Sequence, residues 1–266
     1  MPGWLELWSV ARPGLLWVAV LALLTWAVSL WRHDASLADR LWPVFIAGAS
    51  VAHALAGPTP PAWRGAVLLA LVLAWGVRLC VYITRRNWGH GEDRRYQQMR
   101  ARHAPHFGLK SLVLVFGLQA VLAWVVSAPV LVGWLGPQPW GWLDSLGAAL
   151  ALFGLLFEAV ADAQLARFKA DPAHAGQVMD RGLWRLSRHP NYFGEACFWW
   201  GVGLLALGAA GWAGTWSLVS PLLMTWLLLK VSGVVLLEHD IAERRPAYAD
   251  YIRRTPAFWP GRRRAP

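Results

Sequence analysis

The chain has 266 residues, 57% of them hydrophobic, with 20 tryptophans and a net charge of +10. Soluble domains are nearer roughly 45–50% apolar, so the composition excludes an ordinary soluble protein. The basic residues stand at the ends of apolar runs, which points to membrane topology and lipid headgroups and away from nucleic acid.

A bilayer takes about 20 apolar residues to cross. Taken in order, the runs predict an all-α membrane protein, a bundle of about seven transmembrane helices near residues 13–31, 41–56, 66–83, 111–133, 142–165, 192–210 and 214–237. The first is uncharged from Pro13 to Trp31; the second carries His53, and the third carries Arg78 inside its apolar stretch. Gly57-Pro-Thr-Pro-Pro61 and Gly136-Pro-Gln-Pro-Trp140 are turns. Ala196–Leu229 is uncharged over 34 residues, too long for one ordinary span, and the glycine-rich 208–214 segment folds it into a hairpin. Residues 238–266 form an arginine-rich tail, with short amphipathic helices expected around Ile241 to Ile252. No linker or internal repeat marks a second domain, so 1–266 reads as one integral membrane domain. The loops after spans one, three and five and the tail hold most of the arginines, which puts the N-terminus outside and the C-terminus in the cytoplasm. Cys80 and Cys197 lie in apolar stretches and the histidines show no ligand pairing, so no metal site is expected.

The chain is organised around Arg181-Gly-Leu-Trp-Arg-Leu-Ser-Arg-His-Pro-Asn-Tyr-Phe-Gly-Glu195. Pro190 suits the first turn of a helix, and it biases His189 toward an extended backbone. A helix starting there places Asn191 and Glu195 on one face. Its first N–H groups, with Arg181, Arg185 and Arg188, would attract an anion such as a phosphate. A positive-inside anchor is the alternative reading. Trp199 lies one turn past Glu195 and could line the same pocket. Upstream, Glu158 and Asp162 are one helical turn apart and Lys169 shares their face; acids there need partners or solvent. Arg78, Tyr82 and Arg86 repeat every four residues on the third span. In Gly89-His-Gly-Glu-Asp-Arg-Arg-Tyr96 the two glycines allow close backbone approach, and the charged run could clamp a polar ligand. In the tail, Glu238, Arg244, Arg245, Tyr248, Tyr251 and Arg254 form a further polar set.

Gly-Leu-Trp-Arg-x-Ser-Arg-His-Pro-Asn-Tyr-Phe-Gly-Glu resembles the signature of the bacterial DUF1295 proteins, which are related to the C-terminal domain of steroid 5α-reductases. Its Arg-His-Pro-x-Tyr core also resembles isoprenylcysteine carboxyl methyltransferases. The strings Gly-x-Gly-Glu-Asp-x-Arg-Tyr and Glu-x-x-x-Asp-x-Gln-x-x-x-Phe-Lys are similar to DUF1295 as well. Strongest from about Arg78 to Pro260, the resemblance implies a 5α-reductase-like bundle in a bacterial plasma membrane. The implied activity is NADPH-dependent reduction of an activated C=C bond in a lipophilic, steroid- or enone-like substrate. The cofactor would be held by Arg78, Asp162, Lys169, Arg188, His189, Asn191, Tyr192, Glu195, Tyr251 and Arg254. In the reductases a catalytic tyrosine sits three residues before the arginine matching Arg78; here that position is Trp75, and their partner glutamate has no clear match. The proton donor is then open, with Tyr82 the best ionisable candidate, and Trp75, His53 and Trp199 stand at the substrate pocket. An S-adenosylmethionine-dependent methyltransferase and a non-catalytic lipid- or cofactor-binding protein are the alternatives. The expected partners are membrane lipid and a lipophilic small molecule, with no nucleic acid and no obligate protein partner.

Overall fold

The computed structural model of the protein describes residues 3–58, 62–231, 233–238, 241–244 and 246–263. Among these residues all regular structure is helical. Five helical runs are long and apolar enough to cross a membrane: Trp4–Arg32, Trp63–Asn87, Phe107–Leu135, Trp142–Ala170 and Pro190–Glu238. By length and composition the chain is a multi-pass helical membrane protein. Backbone proximity divides it into two compact units, Met1–Asp144 with Leu205–Ser220, and Ser145–Leu204 with Pro221–Pro266.

In the first unit, α1 (Trp4–Arg32), α2 (Leu37–Ala56) and α3 (Ala62–Asn87) follow one another. The short α4 (Arg94–Arg102) precedes a run built of α5 (Phe107–Ser111), a wide-turned segment (Leu112–Gly117), α6 (Leu118–Val126) and α7 (Ala128–Leu135). α2 packs against α1, α3, α6 and α7. Half of its buried face is small, with Ala38, Ala47, Ala49 and Ser50, which lets neighbouring backbones come close. α1 starts nine residues before the expected Pro13, because Val10 and Ala11 bury against Leu131, beside Leu7, Trp124 and Leu135. That packing outweighs the hydrogen bond lost at Pro13. The α6–α7 break at Ser127 precedes Pro129, which has no N–H to continue the ladder.

A buried ion pair ties the start of α3 to Asp144 at the start of α8 (Trp142–Ala170). Arg64 Nε and Nη2 each lie 2.8 Å from an Asp144 carboxylate oxygen, and Arg64 also donates to the Gln138 and Pro139 carbonyls. Gly141 N donates to Asp144 Oδ2 at 2.8 Å. Gly208 makes room for this carboxylate, since a Cβ there would stand 2.7 Å from Asp144 Oδ1.

The second unit holds α8 from Ser145, α9 (Pro190–Ala210) up to Leu204, and the chain after Pro221. α9 begins at Pro190, as its fixed φ and missing N–H predict. Trp200 Nε1 donates to Thr225 Oγ1 at 3.1 Å across 25 residues, so the Ala196–Leu229 stretch does fold back on itself. The return leg is not the single helix expected over 214–237. It comprises a tight-turned segment (Gly211–Leu218), α10 (Val219–Trp226), a wide-turned segment (Leu227–Val231) and α11 (Val234–Glu238). Glycines at 208, 211 and 214 weaken helical continuity there, and Pro221 fits only the first turn of α10. The tail carries α12 (Ile241–Arg244) and α13 (Ala247–Arg254). Of the expected polar tail residues, Arg245 lies outside the described residues.

Candidate functional site

Glycines set the α8–α9 contact. On α8, Gly147 and Gly154 are seven apart; on α9, so are Gly194 and Gly201. A Cβ at Gly154 would stand 2.3 Å from Phe198 N, one at Gly194 2.6 Å from Glu158 N, and one at Gly201 2.4 Å from Ala151 N. The two backbones therefore touch at points one heptad apart, the close approach that small residues permit in membranes. This contact brings Asn191 onto Asp162, with Nδ2 donating to Oδ1 at 3.2 Å. Asn191 Oδ1 is buried without a hydrogen-bond partner among the described residues. Glu158, Asp162 and Glu195 are all buried, whereas Lys169 is exposed at the end of α8. Trp199 is fully buried, edge-on to Phe198 at 5.4 Å.

The stretch before α9 docks on α8 and on the tail. Gly182 adopts φ +56, where a side chain would also collide with Gln164; in its place Gln164 Oε1 accepts from Leu183 N at 2.9 Å. Trp184 Nε1 donates to Ala161 O at 3.0 Å. Arg188 is the hub of this region. Its Nε and Nη2 each lie 2.7 Å from one Glu238 oxygen, and Nη1 donates to the Ile252 and Thr255 carbonyls. Four of its five N–H groups are thus spent within the chain, which leaves the exposed Arg181 and Arg185 as the motif's arginines open to an anion. His189 Nε2 donates to Glu238 Oε1 at 2.9 Å, and its ring stacks on Tyr192 at 5.4 Å. Tyr251 is buried, 5.2 Å from the Tyr248 ring, and its hydroxyl donates to the Trp184 and Ser187 carbonyls. Burial, then the neighbouring Tyr248, pushes its hydroxyl pKa well up, so it stays protonated as a structural donor. Arg188 N donates to Pro256 O and Gly261 N to Leu186 O, both at 2.9 Å, which straps the tail over the motif. Phe193 is held edge-on by Phe157, Phe258 and Trp259. Arg254, expected at a cofactor, is ion-paired with Asp250 one turn earlier in α13.

In the first unit, Trp75 is fully buried and Tyr82 lies under the Arg86 guanidinium at 5.8 Å, with Arg78 half-buried on the same face. His53 is buried, Nδ1 3.1 Å from Val10 O and Nε2 3.0 Å from Ser127 Oγ. The 89–96 loop is stapled to the α1–α2 connection. Glu92 accepts from Ala35 N and pairs with Arg100, while Asp93 caps α4 through Arg95 N. A Cβ at either Gly89 or Gly91 meets open space, and Gly89 is needed for its φ of +76. Asp39 accepts from Tyr96 Oη at 2.6 Å, from Arg95 Nη2 at 2.7 Å and from Gln119 Nε2 at 3.3 Å. Burial and the Asp39 charge together hold the Tyr96 pKa well up.

The chain matches the family DUF1295, described as a protein of unknown function, over residues 25–255. It is a DUF1295 protein. An uncharacterized protein of Schizosaccharomyces pombe is 25% identical over 281 residues, covering 93% of this chain and 78% of the relative. No solved structure matches the chain.

Several residues the DUF1295 strings contain turn out to join segments. Gln164, Ser187 and Glu92 each bind backbone across a loop. Two polar pairings went unseen in the sequence. Glu238 as the partner of Arg188 and His189 had one signal, a lone carboxylate closing an apolar run in a chain whose central motif is cationic. The Asp39–Tyr96 pair had none, since the two residues are 57 apart in different strings.

Proposed function

We propose that this protein is an NADPH-dependent membrane reductase of an activated C=C bond in a lipophilic substrate. The chain is then a seven-span, 5α-reductase-like bundle of a bacterial plasma membrane, with its N-terminus outside and its arginine-rich side in the cytoplasm, where NADPH is. One observation carries the reading. The α8–α9 glycine contact presents the Asn191 amide with Nδ2 on Asp162 and Oδ1 unspent, beside the motif that the tail straps down. An amide oxygen fits the carboxamide or ribose donors of a nicotinamide nucleotide, and Arg181 and Arg185 suit its phosphates. Arg188 and His189 hold the motif on Glu238, Tyr192 stacks on His189, and Glu195 shares the Asn191 face. NADPH supplies a hydride when bound; the chain orients substrate, excludes water and delivers a proton. Tyr82 is assigned as donor on its place in the Arg78–Tyr82–Arg86 face.

The test is ligand-induced thermal stabilisation of the detergent-purified protein with NADPH, NADH and S-adenosylmethionine, because a ligand that binds only the folded state raises its stability. The expected result is a shift with NADPH that Asn191→Ala/Glu195→Ala abolishes. A shift with S-adenosylmethionine alone establishes the methyltransferase alternative. No shift with any of the three overturns both and leaves a non-catalytic protein. Under the reductase reading Trp75→Phe retains turnover, as an indole has no acidic proton to give.

A further inference from the structure

The first unit contains a cavity of about 430 Å³, within the size range of pockets that hold small organic molecules. Its walls include Leu7 and Ala11 of α1, Trp124 and Leu131 of the run after α5, and Val219. Trp4, Trp8 and Trp216, also at its edge, are exposed. Ala128, just past the break at Ser127, also lines it.

Among the described residues the only ionisable side chain on the wall is His53, and both of its nitrogens are engaged. Nδ1 is on Val10 O and Nε2 on Ser127 Oγ, while Gly14 packs against the ring, where a Cβ would stand 2.2 Å from Cε1. A water molecule needs two to four polar partners to stay in such a space, and this wall is almost wholly apolar. What fills it is therefore apolar. Exposed tryptophans mark the membrane–water boundary, where their amphipathic rings sit at headgroup level, so the occupant's polar end belongs at that edge and its hydrocarbon inside.

We infer that this cavity is a binding site for one acyl chain of a membrane phospholipid. The site does not rest on the reductase reading. His53 lies 14 residues along α2 from Asp39, roughly 21 Å at 1.5 Å per residue, so the cavity and the Asp39–Tyr96 cluster occupy opposite ends of that helix.

The test uses the full-length protein in nanodiscs of phosphatidylcholine carrying a mid-chain diazirine, irradiated and mapped by peptide mass spectrometry. Labelling is expected to concentrate on residues 4–11 and 124–131, above the lipid-facing Val113 and Val121, both more than half exposed. Ala128→Phe and Ala11→Leu fill the cavity from two sides and should bring labelling of these segments down to the Val113 level. Val113→Phe should leave it unchanged. The inference is overturned if wild-type labelling of 4–11 is no higher than at Val113, a result that needs no variant to fold. It is equally overturned if a folded cavity-filling variant labels like wild type, or if a free diazirine fatty acid labels the cavity and the phospholipid does not.

Discussion

Replacing Glu238 with glutamine tests whether the central motif and the tail are held as one body. The carboxylate takes three charge-assisted hydrogen bonds, two from Arg188 at 2.7 Å and one from His189 at 2.9 Å. Glutamine keeps one acceptor oxygen and turns an NH2 group toward donors, so at least one of the three bonds becomes a repulsive contact. Breaking a buried pair costs about 3–5 kcal/mol because a charge is left uncompensated. Arg188 retains the Ile252 and Thr255 carbonyls, which places the expected loss near the lower end, about 3 kcal/mol. At about 1.4 kcal/mol per decade the open-tail population rises roughly 150-fold. Limited trypsin digestion in detergent reads that population directly, since α13 must unfold before Arg253 or Arg254 is cut. Asp250→Asn is the control: its partners Arg253 and Arg254 are exposed, and such pairs contribute about 0.5 kcal/mol. Glu238→Gln digesting at the Asp250→Asn rate would refute the argument, because Arg188 would then be held by the tail carbonyls alone.

Arg64→Leu should destabilise by about 3–5 kcal/mol, and adding Asp144→Leu should recover most of that loss, since the buried carboxylate no longer lacks a partner; additive losses in reversible unfolding would show the pair is not coupled. Gly194→Leu should abolish a monodisperse peak in detergent chromatography, because its Cβ meets Glu158 backbone that cannot move aside, whereas Gly91→Ala meets open space and stays within about 0.5 kcal/mol of wild type. Burial alone would raise the Asp93 pKa, but the Arg95 side-chain and backbone hydrogen bonds and the charges of Arg95 and Arg86 outweigh it and hold it below the usual carboxylate range. The folded value lies below the unfolded one, so this stabilisation is complete above the ordinary aspartate pKa and is lost as pH falls through the lowered value. Thermal midpoints followed against pH should therefore fall more steeply on the acid side for wild type than for Asp93→Asn.

The membrane runs were legible because crossing a bilayer demands a length and a composition that few other structures share. The start of α9 was legible for a local reason, the geometry of Pro190. The Asn191–Asp162 meeting was half legible: each helix face is written in its own periodicity, but the heptad glycines that bring the two together act only once paired. Arg188 shows where one-dimensional reading stops. Three arginines near a helix start look alike in sequence, and only the returning tail distinguishes the one that is consumed from the two that stay exposed. Likewise Trp4–Arg12 contains charges at positions 6 and 12 that hide its helix, and the packing of Val10 on Leu131 is what extends it.

Arg64 and Asp144 lie 80 residues apart in the chain. At about 5–20 residues per second of synthesis, the arginine waits roughly 4–16 s for its counter-charge. During that interval α3 enters the bilayer with an unopposed cation at its first turn, where the insertion machinery can weigh it as a topological signal. Once α8 arrives, the same residue is neutral in effect and hidden from solvent. A charge count over the finished protein therefore records a different ledger from the one read during insertion, and truncation before residue 144 would leave α3 permanently in its provisional state.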